Sequence, residues 1–332
     1  MPWTRAARRL PAALLLIAAA ACGGGTTGGD RPETEPTLLL DFAPNGVHAG
    51  IYLAAERGYD AAEGASLKIR KPGASTDAVR LLKTGRTDFA ILDIHDLGLA
   101  RQRGDDLVGV MALVQRPLAA VLAKPTVDTP KALEGRRVGV TGLPSDVAVL
   151  RSVVRGAGGD PARVRRTTIG FEAVRALLSG RVDAVTAFWN VEGVALRERG
   201  RAVREFRVDA FGAPAYPELV LAVTRETLAD RRDEVRAVIR GLQRGYEEAQ
   251  RDPESAVSAM VEEDPDLDRA ALAAQLDAVS PAFSAGAPAY GALDPRRLRE
   301  WAAWDVRFGI LKRRPDVSRA FDTSLVGPVE NP

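Results

Sequence analysis

An α/β fold is what this sequence predicts, and three observations carry it. Between residues 37 and 115, apolar runs of strand length alternate with segments of helical period, the pattern of a mainly parallel sheet with covering helices. The alternation starts afresh after about residue 126. One phrase is also written twice: LLKTGRTDFAIL at 81–92 and ALLSGRVDAVTAF at 176–188. Each copy is an apolar helical tail, a small-residue turn, Gly-Arg-x-Asp and an apolar run. Such turns recur in α/β proteins, so the doubling alone does not establish a duplication. It does mark two equivalent points where a helix feeds a strand.

The elements follow in order. TLLLDFAP (37–44) is a short apolar strand ended by Pro44, and HAGIYLAAERG (48–58) is a helix stopped at Gly58. ASLKIRKP alternates as a strand. GASTDAVRLLKTG is a helix with Ser75 or Thr76 as N-cap and Gly85 just past its end. TDFAILD is a strand, DLGLARQRGD a helix and LVGVMALVQ a strand. In the second unit Pro130 opens a short helix, RRVGVTG is a strand, and PSDVAVLRSVVRGAGG is a helix that Ser145 or Asp146 can cap. ARVRRTTIG, FEAVRALLSG and RVDAVTAFW read as strand, helix and strand, and YPELVLAVTRETL as a strand running into a helix. Beyond 231 the chain is mostly helical, with a stop near Asp252-Pro253. Trp301, Trp304 and Phe308 fall at i, i+3 and i+7, a core-facing stripe.

With 332 residues the chain has room for two domains of ordinary size, and 46% apolar with 27% charged residues marks it as globular. The formal charge of +2 includes Arg5, Arg8 and Arg9, so the remainder stands at −1 and shows no nucleic-acid footprint. RAARRLPAALLLIAAAAC has the basic start, short apolar run and small residues of a signal peptide, expected over 1–21. Cys22 is the only cysteine, so no intrachain disulfide is possible. Its place after the alanine run resembles the bacterial lipoprotein signal, in which the cysteine is lipidated. GGGTTGGDRPETEP then serves as a polar tether over 22–36.

An ordered string of motifs resembles one known family. LLLDFAPNGVHAGIYLAAERGY, KPGASTDAVRLLKTGRTDFAI, KALEGRRVGVTGLPSD, IGFEAVRALLSGRVDAVTAFWNVEG and FGAPAYPELVLAVT are similar to the NMT1/THI5-like group of ABC-transporter substrate-binding proteins, which serve pyrimidine precursors of thiamine. The likeness spans about residues 38–228. It implies a periplasmic-binding-protein-like (type II) fold: two α/β lobes, two crossover strands near Ala119–Lys124 and Leu219–Val223, and a ligand clamped between the lobes. The expected division is 37–121 in the first lobe, 122–221 in the second, and 222–332 returning to the first.

On that resemblance, Phe42, Asn45 and His48 follow the first strand and Tyr52 lies one helical turn beyond His48. Family members often carry Trp where this chain has Phe42; either ring can stack on a flat heterocycle. Asn45 serves as a ligand contact or as a helix cap, and His48 as a polar contact or a local cap. In FWNVEG, Trp189 can cover a ring face while Asn190 and Glu192 hydrogen-bond; a carboxylate accepts from an amino-pyrimidine edge. Tyr216 is a clamp or a hinge residue. Asp93 and His95 stand where the pyrimidine-precursor members tend to carry hydroxyl or aromatic residues. Thr141, in VTGLPSD, offers backbone N–H groups at a helix start for an oxyanion or carbonyl; Ser75 faces it as a similar turn, and Gln115 ends another strand.

No nucleophile–base pair, cofactor motif or metal-ligand spacing is present, so no catalytic set, cofactor or metal is expected. The expected role is that of an extracytoplasmic, membrane-anchored lipoprotein. It would be monomeric and clamp a small flat heterocycle for an ABC permease and its ATPase. Two alternatives stand beside it: an enzyme of the same fold that makes the pyrimidine precursor, and a sensor or adaptor that feeds no permease.

Overall fold

Strands β1 (Thr37–Leu39), β2 (Lys68–Arg70), β3 (Phe89–Asp93) and β4 (Leu107–Ala112) build one five-stranded sheet together with the much later β10 (Leu219–Thr224), in the order β2-β1-β3-β10-β4. A second sheet takes β5 (Ala119–Ala123), β6 (Arg137–Val140), β7 (Arg165–Thr168), β8 (Ala184–Phe188) and β9 (Arg204–Arg207), in the order β7-β6-β8-β5-β9. The computed structural model describes residues 35–73 and 78–327. The expected leader, Cys22 and Ser75 lie outside the described residues. Two α/β lobes, joined where the chain passes between them twice, make this a periplasmic-binding-protein-like fold of type II. The stretches expected to carry the chain across are β5 and β10, and each directly follows one passage.

The two sheets repeat one plan. β3 pairs in parallel with β1 and antiparallel with β10; β8 pairs in parallel with β6 and antiparallel with β5. The twice-written phrase supplies β3 and β8, the centre of each sheet. Its parts do the same work in both. Gly85 (φ +65°) and Gly180 (φ +75°) end the helix in the left-handed conformation that favours glycine. Asp88 then accepts the N–H of Thr37, the first residue of β1 (2.8 Å), and Asp183 accepts the N–H of Arg137, the first residue of β6 (3.1 Å). Each aspartate thus ties the central strand to the start of the parallel strand beside it.

Both faces of the first sheet are covered, which is why β3 and β10 are written as unbroken apolar runs. Phe89 and Ile91 enter one core while Ala90 and Leu92 enter the other; Leu221 and Val223 face one way, Val220 and Ala222 the other. The helix Arg232–Arg251 buries Val235, Val238, Ile239, Leu242 and Tyr246, the period-3.6 stripe of an amphipathic helix. It packs on the helix Ala49–Glu56 so closely that a Cβ added at Gly50 would stand 2.3 Å from the Tyr246 ring. It stops at Asp252, whose carboxylate caps the next helix, Pro253–Glu263, through the Ser255 N–H (3.2 Å). Trp301, Trp304 and Phe308 are buried as their spacing requires. The strand β9 was not foreseen: Arg-Glu-Phe-Arg buries only Phe206, because β9 sits on a sheet edge.

Candidate functional site

A cleft opens between the lobes, with a cavity of about 160 Å³. Its walls come from the segments that follow β1, β3, β6, β7 and β8, the carboxyl ends where α/β sheets bind ligands. The first lobe contributes Asp41, Phe42, Asn45, Asp93 and Asp96; the second contributes Thr141, Asp146, Phe171, Phe188, Asn190 and Glu192. Leu118, Ala119 and Leu219, beside the two passages, close the floor. Of the residues singled out in the sequence, Phe42, Asn45, Asp93, Thr141, Asn190 and Glu192 therefore line one cavity.

Local structure explains how they are held. The Asn45 carboxamide caps the turn Gly46–His48: its Oδ1 accepts the Val47 N–H (3.0 Å) and its Nδ2 donates to the Ala43 carbonyl (3.0 Å). Asp93 caps the helix Ile94–Gln102 by accepting the His95 N–H (2.8 Å). Glu192 opens the helix Glu192–Glu198 and folds back to accept the Phe188 N–H (3.0 Å). Between them, Asn190 is only 1% exposed, yet neither its Oδ1 nor its Nδ2 has a partner. Burial raises the Glu192 carboxyl above its ordinary range, against the Phe188 N–H that lowers it. At the mouth, Phe42 and Phe171 meet across the cleft with ring centroids 6.1 Å apart. Phe171 is 60% exposed and was not read as a site residue. Its signal was the solvent-facing aromatic directly after the Gly170 turn that ends β7.

Six expected contacts lie behind the cleft instead. His48 is buried: its Nδ1 accepts the Asn45 N–H (3.2 Å), leaving Nε2–H to donate to Asp41 (2.8 Å). It therefore orients a cleft carboxylate rather than reaching into the cavity. Tyr52 does share a face with His48, but that face is core. The Trp189 indole donates to the Pro117 carbonyl (3.0 Å), and its ring is covered by the Arg207 guanidinium at 3.8 Å, so it offers no free face. Gln115 donates to the Ala292 carbonyl (2.8 Å). Tyr216 and His95 are buried together, 3.2 Å apart, in the hinge.

The VTGLPSD turn also departs from expectation. Leu143 precedes the helix Pro144–Gly156 without a side-chain cap, and neither Ser145 nor Asp146 caps it. The Asp146 carboxylate instead accepts both the N–H and the hydroxyl of Thr141. Of the donors expected to hold a ligand oxyanion, the Thr141 N–H and hydroxyl are occupied by the chain's own anion, while the helix start itself has no side-chain cap.

The hinge holds a buried charge cluster. His95 contacts Asp305 through Nδ1 (3.0 Å) and stands 3.8 Å from Glu218 through Nε2. Burial opposes a charge on this ring, but Asp305 and Asp93 outweigh it and push its pKa up to about 10. Glu218, in the second passage, accepts the N–H groups of Leu118 (2.8 Å) and Ala119 (3.2 Å) at the end of the first. Ligand atoms of Asp93, His95 and Glu218 lie within 4.8 Å of one another, near enough for a metal ion, though Asp305 and Tyr216 already engage both ring nitrogens. Among the described residues, no helix is long and apolar enough to cross a membrane.

Comparison with known proteins bears on this cleft. A family profile described as NMT1/THI5 like matches residues 45–256. The chain is 35% identical over 228 residues to the formylaminopyrimidine-binding protein of Halalkalibacterium halodurans, covering 68% of this chain and 69% of that one. It is 22% identical over 245 residues to the 4-amino-5-hydroxymethyl-2-methylpyrimidine phosphate synthase THI5 of Saccharomyces cerevisiae, covering 70% and 72%. In three dimensions it is similar to the periplasmic aliphatic sulphonate binding protein SsuA of Escherichia coli, with a TM-score of 0.70 at 15% identity, over 86% of this chain and 97% of that one. At that identity the likeness bears on the fold alone.

Proposed function

The chain belongs to the NMT1/THI5-like family, and from that premise we propose that it is the solute-binding component of an importer, clamping a small flat amino-heterocycle of the thiamine-pyrimidine class. The observation that carries this reading is Asn190: a buried amide with both polar atoms unpartnered, set beside the Glu192 carboxylate in the wall of an interlobe cleft. A buried amide left unpaired costs about 1–3 kcal/mol, and a ligand presenting both a donor and an acceptor removes that cost. A pyrimidine with an exocyclic amino group presents both on one edge, and Glu192 can accept a further N–H. By the measure of about 10–15 Å³ per water, the cavity holds on the order of ten water-sized groups, which suits one ring with its substituents.

Ligand contacts drawn from both lobes exist together only when the lobes close, so solute shifts an open–closed equilibrium toward the closed form, which a permease and its ATPase then recognise. The protein works outside the cytoplasm as a monomer, held at the membrane by lipid on Cys22. Labelling of the parent chain but not Cys22→Ser by a palmitate analogue is expected; equal labelling of both refutes the anchor. The synthase reading has less support here. Those relatives are named for a phosphorylated product, and among the described residues the cleft lining includes no Lys or Arg. Calorimetry with 4-amino-5-hydroxymethyl-2-methylpyrimidine and its 5-formylaminomethyl analogue, with small-angle scattering on the same samples, tests the proposal. Saturable binding with a smaller radius of gyration is expected. Absence of binding to either compound, or binding with no compaction, rejects it.

A further inference from the structure

The cleft is lined by ionisable groups of one sign. Asp41, Asp93 and Asp96 line it from one lobe and Asp146 and Glu192 from the other, while among the described residues no Lys or Arg lines it. Burial, the largest cause in each case, raises the carboxyls of Asp93, Asp96, Asp146 and Glu192 above their ordinary range. The opposing cations stand behind the wall: His95 acts on Asp93 and Asp96, and Arg103 on Asp96. Five carboxyls thus face the cavity, and burial makes four of them harder to ionise, so a positive group placed among them stabilises their charged form. In the VTGLPSD turn the N–H and the hydroxyl of Thr141 are spent on Asp146, so an anion entering there meets a carboxylate. An independent feature marks the same wall as a contact surface: the Asn190 amide, buried with both polar atoms unpartnered.

We infer that the solute is held as a cation, an amino-heterocycle bearing an ammonium group or a protonated ring, and that the phosphate ester of the same ring is refused. This rests on the cleft being the solute site, and it narrows the charge of what enters. A cation among these carboxyls favours their ionised form, whereas a phosphate meets like charges, Asp146 at the VTGLPSD turn among them.

The test is a charge series on one ring. 4-Amino-5-aminomethyl-2-methylpyrimidine is an ammonium ion at neutral pH, its 5-hydroxymethyl analogue is neutral, and the phosphate ester of the latter is an anion. Calorimetry should rank them in that order, the amine tighter than the alcohol by about tenfold and the ester weaker by at least about a hundredfold. The amine's affinity should fall with added salt and the alcohol's should not. Equal affinities across the series, or an ester that binds as well as the alcohol, overturn the inference. Should no pyrimidine bind, the pyrimidine reading fails by itself, and the same series on benzene decides the charge. Saturation-transfer NMR should then detect benzylamine and not benzyl phosphate; the reverse, or neither, overturns the inference.

Discussion

Asn190 and Trp189 are neighbours in sequence and opposites in use. β8 ends at Phe188, and just beyond it Asn190 turns to the cavity while Trp189 turns to the Pro117 carbonyl and the Arg207 guanidinium. Composition cannot say which of two adjacent residues faces in; only the sheet's orientation does. For that reason Phe42, Asn45, Asp93, Thr141, Asn190 and Glu192 were legible as cleft residues, whereas Tyr52, Trp189 and Tyr216, equally suited to stack on a ring, were not distinguishable from core. Asp146 was legible as a helix cap, a role it does not take. The Glu192→Gln variant separates charge from shape. Its amide oxygen can still accept the Phe188 N–H, so the fold should be kept, but a donor on the solute loses a charged acceptor. Affinity for 4-amino-5-hydroxymethyl-2-methylpyrimidine should weaken by about 1–3 kcal/mol in calorimetry. An unchanged value removes Glu192 from the contact.

At the scale of elements, the repeated Gly-Arg-x-Asp is a strand clasp. The sequence shows the phrase twice; only the structure shows that each aspartate reaches back across the sheet to the first N–H of another strand. That partner is 51 residues away for Asp88 and 46 for Asp183, beyond the reach of any local pattern. Burial acts against both carboxylates, but the Thr37 N–H and Arg231 hold Asp88 below its ordinary range, and the Arg137 N–H and Lys124 do the same for Asp183. A lowered carboxyl stabilises the fold above the ordinary carboxylate range and ceases to do so as pH falls through the lowered value. Asp88→Asn and Asp183→Asn should each lose about 0.5–1.5 kcal/mol in urea unfolding at pH 7, solvent screening holding the loss to that range, and the gap should close as pH falls below 3.8 and through the lowered value. An undiminished gap at low pH would show that shape, not charge, makes the clasp.

For the molecule as a whole, the decisive group is one that motif reading assigned to the ligand. His95 draws together a first-lobe helix, the second passage through Tyr216 and Glu218, and the late helix Pro295–Phe308 through Asp305. That convergence spans 210 residues, which hides it from any sequence window. With its pKa raised from the ordinary 6.5 to about 10, His95 contributes stability that is fully present below pH 6.5 and is lost as pH rises through 10. His95→Gln leaves buried carboxylates without their cation and should cost about 3–5 kcal/mol. The gap in melting temperature should be widest below pH 6.5 and narrow toward pH 10; a gap independent of pH means that the ring is neutral in the folded protein.

Glu218 is one stitch through a two-ply ribbon, beside the Arg116–Asp209 ion pair (2.6 Å). A pair of loose straps would let their loads slide, shear and roll; joined at the Leu118 and Ala119 amides, they crease along one line. On the proposed closure, the jaw at Phe42 and Phe171 would travel a fixed arc and meet every solute that fits from the same two directions.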